Sequence, residues 1–100
     1  DESIEMANAL GNKQHMLLAN HGILTTGETI SEGFDALYYF EKSAETYITA
    51  LSTNRELNIA SDEVAEKTAQ EWANYPSDLA RSHLDQIRLI LDKEEPDYKE

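Results

Sequence analysis

The chain has 100 residues, 20 of them acidic and 8 basic, for a net charge of −12, and 40% of its residues are hydrophobic. That hydrophobic share supports a core and argues against disorder, while the charge repels nucleic-acid phosphates and anionic lipid surfaces, so neither is an expected partner. With no cysteine, disulfides, thiolate ligands and a cysteine nucleophile are excluded, and a reducing cytoplasm is the expected compartment.

The longest apolar runs fall far short of the roughly 20 residues a membrane span needs. The acidic start, Asp1-Glu2-Ser3, does not look like a signal peptide. It lacks an initiating Met and runs straight into a helix signal, so further sequence is expected upstream. Residues 3–10 read as a short helix with Ser3 as its cap and Ile4, Ala7 and Leu10 on one face. Gly11-Asn12 is its stop, because either residue tolerates the left-handed conformation.

Residues 15–20 (HMLLAN) form an apolar run short enough to predict a buried strand. His21-Gly22 interrupts it, and residues 23–26 (ILTT) predict a second strand beside the first, with the His-Gly corner as turn or bulge. Thr29-Ile30-Ser31-Glu32 fits a capping box. It opens a long helix to about residue 52, with Ile30, Phe34, Leu37, Phe40, Ala44, Tyr47, Ile48 and Leu51 as its apolar stripe. Gly33 costs such a helix about 1 kcal/mol relative to Ala, which predicts close approach of another backbone there.

After a connection over residues 52–60, Ser61 caps a third helix, with Asp62 and Glu63 favourable to its dipole. Its apolar side is Val64, Ala65, Thr68, Ala69 and Trp72, and it ends near Asn74-Tyr75, ahead of Pro76. Pro76 is expected in the first turn of a fourth helix running to about residue 92, with the stripe Ala80, Leu84, Ile87 and Leu91. Residues 93–100 are a polar tail. Two strands do not make a stable open sheet alone, so this hairpin is expected to join a larger sheet.

The most informative stretch is Leu17 to Gly27, in which an apolar strand leads to one His followed by Gly. A buried strand can hold the imidazole still at its end, and Gly22 permits positive φ. Taken by itself, a lone His there is more often a hydrogen-bonded structural residue than a ligand. Asn20 is either an orienting partner for His21 or a turn amide, and Thr25 and Thr26 are strand formers. Tyr38, Tyr39, Phe40 and Tyr47 lie at helical spacing, which favours core or subunit contacts. His83 reads as a residue on a helix shoulder without a role. Arg81 and Arg88 lie seven apart and either meet a phosphate or form solvated salt bridges.

Residues 9–51, from Ala9-Leu10-Gly11 through the strand ending in Asn20-His21-Gly22, the second strand ending in Thr26-Gly27 and the helix opening Thr29-Ile30-Ser31-Glu32, closely resemble the C-terminal half of the class II aldolase/adducin domain. The ending Leu91-Asp92-Lys93-Glu94-Glu95-Pro96-Asp97-Tyr98 is similar to the tail of the adducin-type branch. The resemblance implies a three-layer α/β/α domain, of which residues 1–100 are the C-terminal portion, supplying two short strands and about four helices.

It further implies that His21 is one ligand of a divalent metal, zinc or alternatively manganese or cobalt. Asn20 and Gly22 would support it, and Tyr98 is a candidate contact to the site of another subunit, against a mobile tail. Two more ligands in the family come from an H-x-H pair, which these residues do not contain, and the family's catalytic acid is also absent. His15 and His21 on one continuous strand would stand roughly 20 Å apart, too far to share an ion.

Relatives with that metal act on small sugars or sugar phosphates as aldolases (lyases), epimerases or a dehydratase, through an enediolate or related oxyanion. A homotetramer is the implied assembly. The competing expectation is a non-catalytic, adducin-like interaction module. A free-standing acidic helical adaptor is the third.

Overall fold

The computed structural model describes residues 1–100 as four helices, one β-hairpin and a C-terminal 3-10 turn. Helix α1 (Glu2–Leu10) begins one residue earlier than its sequence suggested, because the cap is Asp1 and not Ser3. The Asp1 carboxylate accepts from the Ser3 backbone N–H at 3.1 Å, and a carboxylate also suits the positive end of the helix dipole. Gly11 ends the helix at φ 55°.

Strands β1 (His15–Leu18) and β2 (Gly22–Thr25) pair antiparallel, with His15 opposite Thr25 and Leu18 opposite Gly22. Both are shorter or shifted relative to expectation. The first stops at Leu18 because Asn20 takes a positive φ of 65°, which no strand accommodates. Met16, Leu18 and Leu24 lie on one face and Leu17 and Ile23 on the other. Apolar residues on both faces are the pattern of a strand covered from both sides, yet Leu17 is 70% exposed here.

Helix α2 (Ile30–Ser52) starts at the expected capping box: Thr29 accepts from the Glu32 N–H, and Glu32 accepts from the Thr29 N–H. The hairpin is strapped to this helix start. Thr25 Oγ1 donates to the Gly33 carbonyl at 2.9 Å, and Thr26 Oγ1 closes the hairpin base on the Gln14 carbonyl at 3.1 Å. The backbone approach expected at Gly33 is made by Gly27, and it is Gly27, not Gly33, that must lack a side chain. A Cβ on Gly27 would lie 2.7 Å from the Gly33 nitrogen, whereas one on Gly33 meets nothing within 4 Å.

Helix α3 (Asp62–Ala73) is capped by Ser61, and α4 (Ser77–Glu94) follows directly. Pro76 is the residue before α4, not inside its first turn, and α4 runs two residues past the expected end. The predicted α4 stripe is the one that packs: Ala80 is buried and Leu84, Ile87 and Leu91 are partly buried.

The α2 seam, however, is rotated from the predicted stripe towards Asp35. Asp35 and Ala80 are the only buried residues of the chain, while Tyr47, Ile48 and Leu51 of the stripe stay exposed. Nothing within the chain covers that part of α2. The Cα radius of gyration is 16.6 Å, against about 13 Å for a self-contained domain of this length. The architecture is thus a small, open α/β arrangement of four helices and a two-stranded antiparallel sheet, and none of its helices is long and apolar enough to cross a membrane.

The two glycines separate by substitution. Gly33→Ala is expected to raise the urea midpoint of the chain by roughly 0.5–1 kcal/mol equivalent, since it relieves backbone entropy without a clash. Gly27→Ala is expected to lower it, because the strap must move. Equal effects of the two substitutions, or effects of the reverse signs, would contradict the packing at the helix start.

Candidate functional site

His21 sits in the three-residue turn between the strands. Its backbone N–H donates to the Leu18 carbonyl at 3.2 Å. With Asn20 at φ 65° in the third position, the turn has the pattern of type II, which selects Gly or Asn there. Gly22 follows at φ 135°, a conformation that L side chains rarely adopt. Asn20 and Gly22 therefore act through the backbone. They fix the peptide units on either side of His21 and leave its imidazole exposed at the tip of the hairpin. The turn-amide reading of Asn20 accounts for its place in the chain.

His15 lies at the opposite, open end of the hairpin, with its ring edge-on to Phe40 at 5.8 Å between centroids. The chain reverses between the two histidines, so the single extended strand expected to separate them does not exist. They are separated by the length of the hairpin instead. No cluster of three or more metal-ligating side chains forms within the chain. A single exposed imidazole at a hairpin tip fits one position in a metal's coordination shell, and other ligands would then have to come from outside these residues.

The ionisable pair that sequence reasoning missed is Asp35 with His83. Their Oδ1 and Nδ1 atoms are 2.6 Å apart, linking α2 to α4. Asp35 is 6% exposed, and the imidazole is enclosed by Phe34, Tyr38 and Tyr39, with the Tyr38 ring centroid 4.5 Å away. His83 is thus no idle shoulder residue. The available signal was its spacing: it lies three residues after Ala80 and four before Ile87, within the packed stripe. A carboxylate holding one ring nitrogen orients the imidazole, but here the aromatic side chains occupy its surroundings, so the pair is a structural clasp.

The tail also differs from expectation. Residues Pro96–Lys99 form a 3-10 turn that folds back on α4. The Tyr98 hydroxyl donates to Asp92 Oδ1 at 2.5 Å, and Lys99 Nζ lies 2.7 Å from the same oxygen. The hydrogen bond from Lys99, then that from Tyr98, holds the Asp92 carboxyl below its ordinary value, and the same contact raises the Lys99 ammonium. Arg81 and Arg88 both reach Asp85, at 3.9 and 4.0 Å, which makes them solvated salt bridges and not a phosphate clamp.

Residues 1–48, from α1 through most of α2, match the family model for the class II aldolase and adducin N-terminal domain. This part of the chain, including the His21 hairpin, is similar to that family. No curated protein and no solved structure matches the chain.

Two consequences are measurable. Asp35→Ala should cost about 2–3 kcal/mol of unfolding free energy, because it strands the buried side of His83 and opens the α2–α4 seam; a loss under 0.5 kcal/mol in chemical denaturation would make the clasp ornamental. The tail contact should be bounded by pH on both sides. The depressed Asp92 carboxyl contributes stability above its unfolded value of 3.8, lost as pH falls through the lower folded value. The raised Lys99 contributes below 10.5, lost as pH rises through the higher folded value. Tyr98 ring resonances in NMR should therefore shift to their free positions at both extremes, and at neutral pH in Asp92→Asn.

Proposed function

We propose that this chain is the C-terminal portion of a divalent-metal-dependent enzyme of the aldolase/epimerase kind, in which His21 supplies one metal ligand. The observation that carries this reading is the placement of His21: an exposed imidazole at the tip of a hairpin, between two backbone positions of positive φ, inside the segment that matches the family. An accessible nitrogen donor is what a metal site asks of each imidazole ligand.

The metal favoured is zinc, with manganese or cobalt compatible with the same imidazole donor. When bound, it supplies Lewis-acid polarisation of carbonyl and hydroxyl oxygens. Within the chain, the Asn20 and Gly22 backbone orients the ligand and the Thr25–Gly33 strap fixes the hairpin to α2. The substrate class proposed is a small sugar or sugar phosphate, whose adjacent carbonyl and hydroxyl suit such a site. Residues that would hold a phosphate or move a proton lie outside this segment, and so do the remaining ligands. A homotetrameric, cytoplasmic lyase or isomerase is the corresponding whole-protein proposal.

A non-catalytic, adducin-like assembly module is the second reading. The extensive uncovered apolar surface of α2, with Ile48 65% and Tyr47 57% exposed, is the observation that favours it, since interaction modules use such faces.

Metal analysis of the full-length protein separates the two. After dialysis without chelator, mass spectrometry is expected to find about one zinc, manganese or cobalt ion per chain, retained in Asn20→Gly and lost in His21→Ala. Absence of metal from the unsubstituted protein, even after reconstitution, would leave the assembly module standing.

A further inference from the structure

The chain has five tyrosines, and only Tyr98 uses its hydroxyl to bond another side chain. Tyr38, Tyr39 and Tyr75 set their rings against His83 or Trp72. Tyr47 is exposed but lies within the 23-residue helix α2, fixed there by the helical backbone. Tyr98 is 46% exposed and belongs to a four-residue 3-10 turn.

Little holds that turn. Pro96 has no N–H to donate. The backbone supplies a 3.3 Å bond from the Tyr98 N–H to the Glu95 carbonyl and a 3.0 Å bond from the Glu100 N–H to the Asp97 carbonyl. The remaining side-chain contacts converge on one atom, Asp92 Oδ1, which accepts from the Tyr98 hydroxyl and from Lys99 Nζ. Both the Asp92 and the Lys99 side chain reach solvent, so the contact is screened and opens at low cost.

The same arrangement makes the turn sensitive to charge at one atom. The Tyr98 oxygen touches a carboxylate oxygen, which is favourable because a neutral phenol donates its proton there. An anionic group on that oxygen has no such proton and meets Asp92 as a like charge. Lys99 Nζ lies 2.7 Å from Asp92 and 5.8 Å from the Tyr98 ring centroid, and one ammonium does not neutralise a carboxylate and a dianion together. Residues 92–100 hold five carboxylate side chains against two lysines, so no surplus of positive charge is at hand.

We propose that Tyr98 is a phosphorylation site and that its phosphorylation releases the Pro96–Lys99 turn from α4. The donor is a nucleoside triphosphate, delivered by a tyrosine kinase. The Tyr98 oxygen bonds the γ-phosphorus, and the bond from that phosphorus to the β–γ bridging oxygen breaks. The nucleoside diphosphate leaves, and the phenol proton passes to a base of the kinase. The product carries about −1.5 to −2 charges where a proton donor stood. A kinase must also grip the backbone on both sides of its target, which the weakly held turn permits and α2 around Tyr47 does not. The site involves neither His21 nor the hairpin and stands apart from the metal reading.

The full chain would be incubated with magnesium-ATP and the catalytic domain of a tyrosine kinase that accepts acidic peptides, with modified positions followed in time by peptide mass spectrometry. Tyr98 is expected to be modified roughly tenfold faster than Tyr47. Asp92→Asn loosens the turn and should speed modification of Tyr98 by roughly two- to fivefold, beyond any change in an isolated peptide of residues 92–100 with the same substitution. In the phosphorylated chain, nuclear Overhauser contacts between the Tyr98 ring and Asp92 should disappear while helix content by circular dichroism stays constant. The proposal is overturned by equal rates at Tyr98 and Tyr47, by no phosphate at Tyr98 when the peptide of residues 92–100 is modified, by an unchanged rate in Asp92→Asn, or by Tyr98–Asp92 contacts that persist after phosphorylation.

Discussion

The Asp35–His83 contact holds the two longest helices together, and the rest of the chain hangs from those helices. Only Asp35 and Ala80 are buried, so α2 and α4 share almost no conventional hydrophobic core. In place of one, a charged or polar pair spans the seam at 2.6 Å, walled by Phe34, Tyr38 and Tyr39. A hydrogen bond of that kind is directional, unlike apolar packing. It sets which face of α2 meets α4, and so which face of α2 is left open.

The hairpin is positioned by the other end of the same helix. The capping box starts α2 at Ile30, the absence of a side chain at Gly27 lets the strand exit lie against the helix start, and Thr25 ties the second strand to the Gly33 carbonyl. This chain of local constraints ends at His21. The imidazole is presented at the tip of a turn whose shape depends on positive φ at Asn20 and Gly22. A donor group placed in this manner suits a site completed by other residues, and the apolar side chains on both hairpin faces fit a sheet with layers on either side.

The C-terminal turn shows the same economy of means. One oxygen of Asp92 receives both the Tyr98 hydroxyl and the Lys99 ammonium, so a stretch rich in charge, which composition marks as tail, folds against its own helix. Beyond these contacts the surface combines many carboxylates with exposed large apolar side chains, Ile48 and Leu51 of α2 and Trp72 of α3 among them.

The amino-acid order alone determined the succession of one helix, two strands and three helices, the capping box at Thr29, the Ser61 cap, the stop at Gly11 and the packed stripe of α4. Each of these is a local matter, settled by the spacing of a few neighbouring residues and the hydrogen bonds they can make with their own backbone. The Asn20-His21-Gly22 corner was legible for the same reason, and its surroundings are similar to a family model. What tertiary structure alone decided is which faces meet. Asp35 and His83 are 48 residues apart, and no periodicity within either helix says that one will neutralise the other's burial. The rotation of the α2 seam, the exchange of roles between Gly27 and Gly33, and the return of Tyr98 to Asp92 all depend on atoms brought together across space, where a polar partner or an unoccupied volume changes the balance that local pattern suggests.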